Sequence, residues 1–188
     1  KVVKSKLKIV ASWIKKKLNC ELKIFVDTAP VLEKPLAHLS GLGWQGKHTN
    51  LVSKKMGNWF FLGVMYIDKS LPVDEPEKDY CGSCKKCLDI CPTNAFEGAY
   101  KLDARKCIAY LTIEHDGAID KALRSSIGNR IFGCDDCLAI CPWNKFAKLT
   151  RNVNYRDRFS NLSLEEALSF SDTEFNKIFS NETLLLVP

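Results

Sequence analysis

The chain has 188 residues, 46% of them hydrophobic, and a formal charge of +6, enough for one sizeable core or two small ones. No run approaches the roughly 18 uninterrupted apolar residues that a membrane span needs, and the lysine-rich start lacks the apolar stretch and cleavage site of a secretory signal. The composition reads as a soluble, cytoplasmic protein with no membrane partner, and a monomer is favoured.

The opening segment places Val3, Leu7, Val10, Ile14 and Leu18 at spacings of four or three, the apolar stripe of an amphipathic helix whose other face is lysine. Leu22 to Val26 is rich in strand formers and ends at Asp27-Thr-Ala-Pro30, where a turn must follow. Asp27 therefore sits at the carboxyl end of a strand, where open α/β sheets bind ligands, although a turn-capping role is the plainer reading for such an acid. A short helix around Leu36 to Leu39 leads into Gly41-Leu-Gly43-Trp-Gln-Gly46-Lys-His48-Thr-Asn-Leu51. Three glycines in six residues suggest a loop whose backbone approaches something closely, and the spacing does not fit a phosphate loop. Trp59 to Ile67 reads as a strand buried on both faces, and Leu71 to Asp79, acidic and with two prolines, as a linker.

The stretch from Cys81 to Cys141 carries the chemistry. Cys81-Gly-Ser-Cys84-Lys-Lys-Cys87-Leu-Asp-Ile-Cys91-Pro92 has the C-x2-C-x2-C-x3-C-P spacing of bacterial iron–sulfur proteins, in which the fourth cysteine serves a second cluster. Cys107, Cys134 and Cys137 supply three more thiolates, and Cys141-Pro142 repeats the exit. The spacing predicts Cys81, Cys84, Cys87 and Cys141 on one 4Fe-4S cluster, and Cys91, Cys107, Cys134 and Cys137 on the other. Zinc also uses x2 spacing but rarely with the x3-C-P exit twice. A disulfide framework is disfavoured in a chain without a secretory signal, and Cys20, the ninth cysteine, reads as a small packed side chain. Two oxidised clusters of about −2 each would lower the net charge to about +2, so any basic nucleic-acid surface must be local.

Between Cys107 and Cys134 lie 26 residues, where a compact two-cluster protein has two. This insertion, with an expected helix from Ile119 to Ser126, must leave and return at the cluster edge. Beyond Phe146 the cysteines stop. Ser163-Leu-Glu-Glu166 and Ser171-Asp-Thr-Glu174 match the capping box and predict two short packed helices with Leu168, Phe175, Ile178 and Phe179 at apolar positions. The expected organisation is α+β: residues 1–74 as the carboxyl half of an α/β domain, 75–147 as a ferredoxin-like module with an insertion at 108–133, and 148–188 as a helical segment.

Four motifs, Asp27-Thr-Ala-Pro-Val-Leu-Glu-Lys34, Gly41 to Leu51, Cys107-Ile-Ala-Tyr-Leu-Thr-Ile-Glu114 and Gly133 to Asn144, together resemble epoxyqueuosine reductase. The resemblance runs from about Phe25 to Phe146. It implies a cobalamin-dependent oxidoreductase of queuosine biosynthesis that reduces an epoxide on the wobble base of transfer RNA to the alkene, with two 4Fe-4S clusters relaying electrons from a donor such as flavodoxin or ferredoxin. The first 74 residues would then be part of a cobalamin-binding domain. Asp27 matches the family's proton donor, which overturns the capping reading; burial against the corrin would help it keep its proton. His48, Leu51 and Ser53 match the segment that wraps the cobalamin, and Asp135 stands where it could approach the corrin. The substrate base would be turned out of a single-stranded loop, with Arg105, Arg130 and Lys145 as candidate phosphate contacts.

The family's amino-terminal portion is largely missing before Lys1, and the helical repeats of longer members are not evident before Pro188. The expectation is a piece of a longer enzyme. Two other readings compete: a two-cluster electron carrier without catalysis, which would have no use for Asp27 or the Gly41 to Leu51 loop, and a reductive dehalogenase relative, which would carry an export signal or anchor.

Overall fold

The computed structural model describes residues 2–150 and 163–179. Helix α1, Val2–Leu18, packs against strand β1, Leu22–Phe25. Its inward stripe is Val3, Leu7, Ala11 and Ile14, of which Ala11 is buried, whereas Val10 and Leu18 are exposed. The expected stripe is thus corrected at two positions. A helix turns 3.6 residues per cycle, so a seven-residue repeat drifts round the surface, and the small Ala11 lets the helix lie close to the sheet. Cys20 is buried just past the helix end, as expected of a packed thiol.

Strand β1 leads through a bend to helix α2, Glu33–Leu39. Two short strands follow, β2 (Trp44–Gln45) and β3 (Leu51–Val52), paired antiparallel with Trp44 opposite Val52. Strand β4, Val64–Ile67, then pairs antiparallel with β1, Leu22 opposite Ile67 and Phe25 opposite Val64. The reading of Trp59–Ile67 as one strand buried on both faces is corrected: only the last four residues are strand, and Trp59 and Phe61 are exposed. An apolar run fixes neither length nor coverage, because the same run suits a strand or irregular chain against a neighbour. Among the described residues the strands form three two-stranded antiparallel ribbons, not the parallel sheet of an open α/β domain.

Two glycines hold this region close. A Cβ on Gly43 would stand 2.1 Å from the Val52 carbonyl oxygen, and one on Gly57 would meet Asn144 Oδ1 at 2.6 Å. Both distances are impossible for a real side chain, so glycine lets the backbone before β2 lie against β3 at Val52, and lets the segment after β3 lie against Asn144, just past Cys141. Leu71 to Asp79 is coil, as expected of a linker, but it is tied down: Glu77 pairs with Lys54 at 3.2 Å and Asp79 accepts from the Cys81 N–H.

The cysteine-rich part contains α3 (Lys86–Asp89), the ribbon β5 (Phe96–Gly98) with β6 (Lys101–Leu102), α4 (Ile108–Ile113), α5 (Lys121–Ile127) and α6 (Asp136–Ala139). The expected helix at 119–126 lies two residues later at its start, because Asp120 is the cap and accepts the Ala122 N–H. The insertion returns where it left: the Gly133 N–H donates to Thr112 Oγ1 at 2.8 Å, and Ile108, Leu111 and Ile127 are buried beneath it.

Both caps form, the second as a full capping box and the first as its serine half. Ser163 Oγ accepts the Glu166 N–H ahead of α7 (Leu164–Ser169), and Ser171 and Glu174 bond reciprocally ahead of α8 (Asp172–Phe179). Leu168 and Phe175 are exposed, so these helices owe their ends to local capping rather than to the packing that was expected of them. The side chains of Ile178 and Phe179 lie outside the described residues.

Candidate metal centre

Helices α3 and α6 are four residues each and pack against one another. Each carries a cysteine, Cys87 and Cys137, and each is followed by a Cys-Pro pair that turns the chain away. A helix of one turn cannot persist alone. Here each is held by backbone bonds back to its own start, Asp89 N–H to the Lys85 carbonyl and Ala139 N–H to the Asp135 carbonyl.

Cys81, Cys84, Cys87 and Cys141 line one cavity of about 280 Å³, together with Lys47, His48, Tyr80, Pro142, Trp143 and Lys145. Burial, then the neighbouring Cys81, Cys141 and Cys84, push the Cys87 thiol up to about 11. Cys137 is pushed up to about 12 by burial and by Cys134, Cys107, Cys87 and Cys91. Cys81, Cys84, Cys87 and Cys141 thus share one neighbourhood, and a second gathers around Cys137, close enough to the first that Cys87 also acts on Cys137. Among the described residues no three histidine, cysteine or acidic side chains form a site sized for a single ion; the four thiols of the cavity surround a larger space. A cavity walled by four soft sulfur donors, with no carboxylate among its lining residues, suits an iron–sulfur cluster.

The surroundings of both neighbourhoods are built. Trp44, fully buried, points its indole N–H at Cys81 Sγ, 3.4 Å away, and stacks edge-on with Tyr80 and Trp143 at 5.2 and 5.1 Å. Lys47 Nζ donates to the carbonyls of Gly82 and Cys84 at 2.6 and 2.9 Å. Asp79 accepts from the Cys81 N–H and from the Tyr100 hydroxyl. On the other side Cys91 Sγ accepts the Ala95 N–H at 3.3 Å. Lys34, an exposed residue whose Nζ donates to the Thr49 carbonyl at 3.4 Å, has its pKa lowered by burial of the ammonium against the upward pull of Cys137 and Cys107. Sequence reading missed Trp44, Lys47 and Lys34 as neighbours of the cysteines. All three lie inside the motifs that carried the resemblance, yet nothing in their spacing says that the Gly41–Leu51 loop folds onto Cys81.

The other expected site residues are scattered. Asp27 is exposed on the bend after β1, with a left-handed φ of 50°, and its N–H donates to Glu33 Oε1 at 2.7 Å. Among the described residues no group covers it, so the burial expected from the resemblance is not supplied there. His48, Leu51 and Ser53 are all buried, their side chains spent within the chain. His48 Nδ1 accepts the Asn50 N–H at 3.1 Å, and Nε2 lies 3.4 Å from the Asn58 amide nitrogen, which donates to the Leu138 carbonyl. Ser53 Oγ accepts the Lys55 N–H. Asp135, exposed at the start of α6, has its pKa raised by partial loss of water and by the adjacent Asp136. Of the candidate phosphate contacts, Arg130 is spent on Asp136 at 2.6 Å and on the Ile127 carbonyl, and Arg105 pairs with Asp103 at 2.9 Å. Lys145 is exposed at the cavity and lies 4.9 Å over the Phe146 ring.

Burial lowers the pKa of His48 to about 4 from an ordinary 6.5. The unfolded chain therefore takes up a proton in a window where the folded chain does not. Stability should be unaffected above about pH 6.5 and fall as pH drops toward 4, by about 3 kcal/mol at most from this residue. Urea unfolding at a series of pH values checks this: His48→Gln should flatten the profile between pH 6.5 and 4, and an unchanged slope would refute the assignment.

Residues 80–144 match the family model of a 4Fe-4S double cluster binding domain. In this stretch the chain is similar to proteins that bind two 4Fe-4S clusters. Over 155 residues, 81% of its length, it is 54% identical to epoxyqueuosine reductase of Xanthomonas campestris, covering 44% of that protein. The crystal structure of an epoxyqueuosine reductase with an epoxyqueuosine-modified tRNA-Tyr stem loop superposes with a TM-score of 0.88 at 32% identity, over 95% of this chain and 48% of that one. The Bacillus subtilis epoxyqueuosine reductase, in a structure with its catalytic aspartate loop swung out of the active site, matches with a TM-score of 0.86 at 30% identity, again over 95% and 48%. The resemblance carried by the motifs is borne out: the chain is a relative of the epoxyqueuosine reductases, and it spans about half their length. Among the described residues no helix is long and apolar enough to cross a membrane.

Proposed function

We propose that this chain is the cluster-bearing portion of an enzyme that reduces epoxyqueuosine to queuosine at the wobble position of transfer RNA. The observation that carries the reading is the convergence of Cys81, Cys84, Cys87 and Cys141 on a cavity roofed by the β2–β3 loop. That loop belongs to the part of the chain that also carries Asp27. Electrons entering at one cluster can pass to the second because α3 and α6 lie side by side, each donating a thiolate. The donor would be a small redox protein such as flavodoxin or ferredoxin.

Opening the epoxide to the alkene consumes two electrons and two protons and releases the oxygen as water. The protein's task is therefore to meter single electrons and place an acid beside the leaving oxygen. Asp27 is the proposed acid. Its left-handed backbone is a conformation that aspartate tolerates but most residues avoid, and such outliers gather where a site needs them. An exposed aspartate on a bend also suits a family in which a catalytic aspartate loop is seen swung out.

Cobalamin belongs to this proposal through the resemblance, and bound there it would supply a low-potential metal centre able to bond to carbon. Of the five residues named toward it, Asp27 and Asp135 present exposed side chains; His48, Leu51 and Ser53 are committed inside the chain and serve by shaping the loop. Lys145 remains the best placed of the three basic residues for a phosphate.

Nucleoside mass spectrometry on transfer RNA from cells lacking the complete gene tests the proposal. Accumulated epoxyqueuosine that this chain, or a longer form containing it, converts to queuosine would establish it. Unchanged queuosine in such cells, with no second enzyme present, would favour the electron-carrier reading instead.

A further inference from the structure

The β2–β3 loop touches the first set of cysteines in two ways that ligation itself does not require. Trp44 is buried without exposure, yet its indole N–H finds its partner in a cysteine sulfur, Cys81 Sγ, at 3.4 Å. Three residues on, Lys47 Nζ donates to two carbonyls of the Cys81–Cys84 loop, at 2.6 and 2.9 Å, and lines the same cavity. The position of Lys47 is fixed from behind, since its own carbonyl accepts the Tyr100 N–H at 2.9 Å and Tyr100 bonds Asp79, which in turn accepts from the Cys81 N–H. A donor aimed at a ligand sulfur and a cation held beside the ligand loop both stabilise added negative charge on a cluster.

Resting on the reading that Cys81, Cys84, Cys87 and Cys141 hold a 4Fe-4S cluster, we propose that Trp44 and Lys47 are positioning residues that raise the reduction potential of this cluster. The couple is one-electron: the cluster gains an electron from an external reductant, no bond to the protein is made or broken, and the N–H···S bond and the ammonium favour the reduced form.

The chain, reconstituted anaerobically with iron and sulfide, is titrated with dithionite while its reduced clusters are followed by electron paramagnetic resonance. Cys81→Ser identifies which of the two one-electron waves belongs to the first cluster. Replacing the Trp44 indole by its benzothiophene isostere, which keeps the ring shape and removes only the N–H, should lower the reduced-to-oxidised ratio of that wave about tenfold at fixed potential, about 59 mV for one electron. Trp44→Phe should shift it the same way. Lys47→Met should do likewise and Lys47→Arg should restore it, while the other wave stays in place. A merely structural role predicts lost iron and sulfide instead. Full cluster content with both waves at their original potentials in the isostere and in Lys47→Met overturns the proposal. A reconstituted chain that binds no 4Fe-4S cluster, or a Cys81→Ser variant with both waves intact, overturns the cluster assignment itself and the proposal with it.

Discussion

Replacing Cys87 by alanine is expected to remove one cluster and leave the other. Cys87 is buried at the start of α3 and lies among Cys81, Cys84 and Cys141, so alanine deletes one of the four sulfurs facing the cavity and no nearby side chain can replace it. Iron content should fall from about eight to about four atoms per chain. Cys137→Ala should remove the other four, because Cys137 stands among Cys134, Cys107 and Cys91. Neither variant should behave like Cys20→Ala, which trims a small packed thiol away from both neighbourhoods and should leave iron content intact. Loading also carries a pH signature. With thiols pushed up to about 11 and about 12, Cys87 and Cys137 hold protons at neutral pH, so cluster assembly must release them and should be favoured as pH rises. Iron and sulfide analysis of the three variants checks the assignment; a Cys20→Ala variant that lost iron, or a Cys137→Ala variant that did not, would sink it.

Asp27→Asn is expected to abolish epoxide reduction, by about 10² to 10⁴-fold if the residue acts as general acid, while both clusters and the fold persist. Asparagine tolerates the left-handed backbone as aspartate does, and the bond from the Asp27 N–H to Glu33 Oε1 is made by the backbone and survives the change. The amide keeps the shape and hydrogen-bonding reach of the carboxyl group but cannot deliver a proton. Queuosine formation, iron content and thermal stability are to be measured side by side, in whichever length of the protein turns over. Normal turnover would end the proton-donor role. Lost turnover accompanied by lost iron would assign Asp27 a structural one.

Both expectations were legible in the sequence to different depths. The cysteine spacing predicted which four thiols would share a cavity, because three ligands fall within seven residues and a proline forces the chain to send the next elsewhere. The helix caps at Ser163 and Ser171 were legible for the same reason: a capping box is a contact between residues three apart, and no tertiary information enters it. The lengths and partners of strands were not. Trp59 to Leu62 has the composition of a buried strand, yet the chain is irregular there and pairs only from Val64, since an apolar side chain specifies burial but not against what.

The sequence by itself determined the chemistry, the eight thiols in their order, the acid after β1 and the two tail caps, because each is set by spacing along the chain. Only the tertiary structure decided that Gly57 lets the segment after β3 lie against Asn144, that Trp44 and Lys47 reach the Cys81–Cys84 loop, and that His48, Leu51 and Ser53 are buried. Those contacts join residues 35 to 87 positions apart. No periodicity or motif spans such a separation; the packing of the loop against the cysteines, with a glycine wherever a Cβ would intrude, is what brings them together.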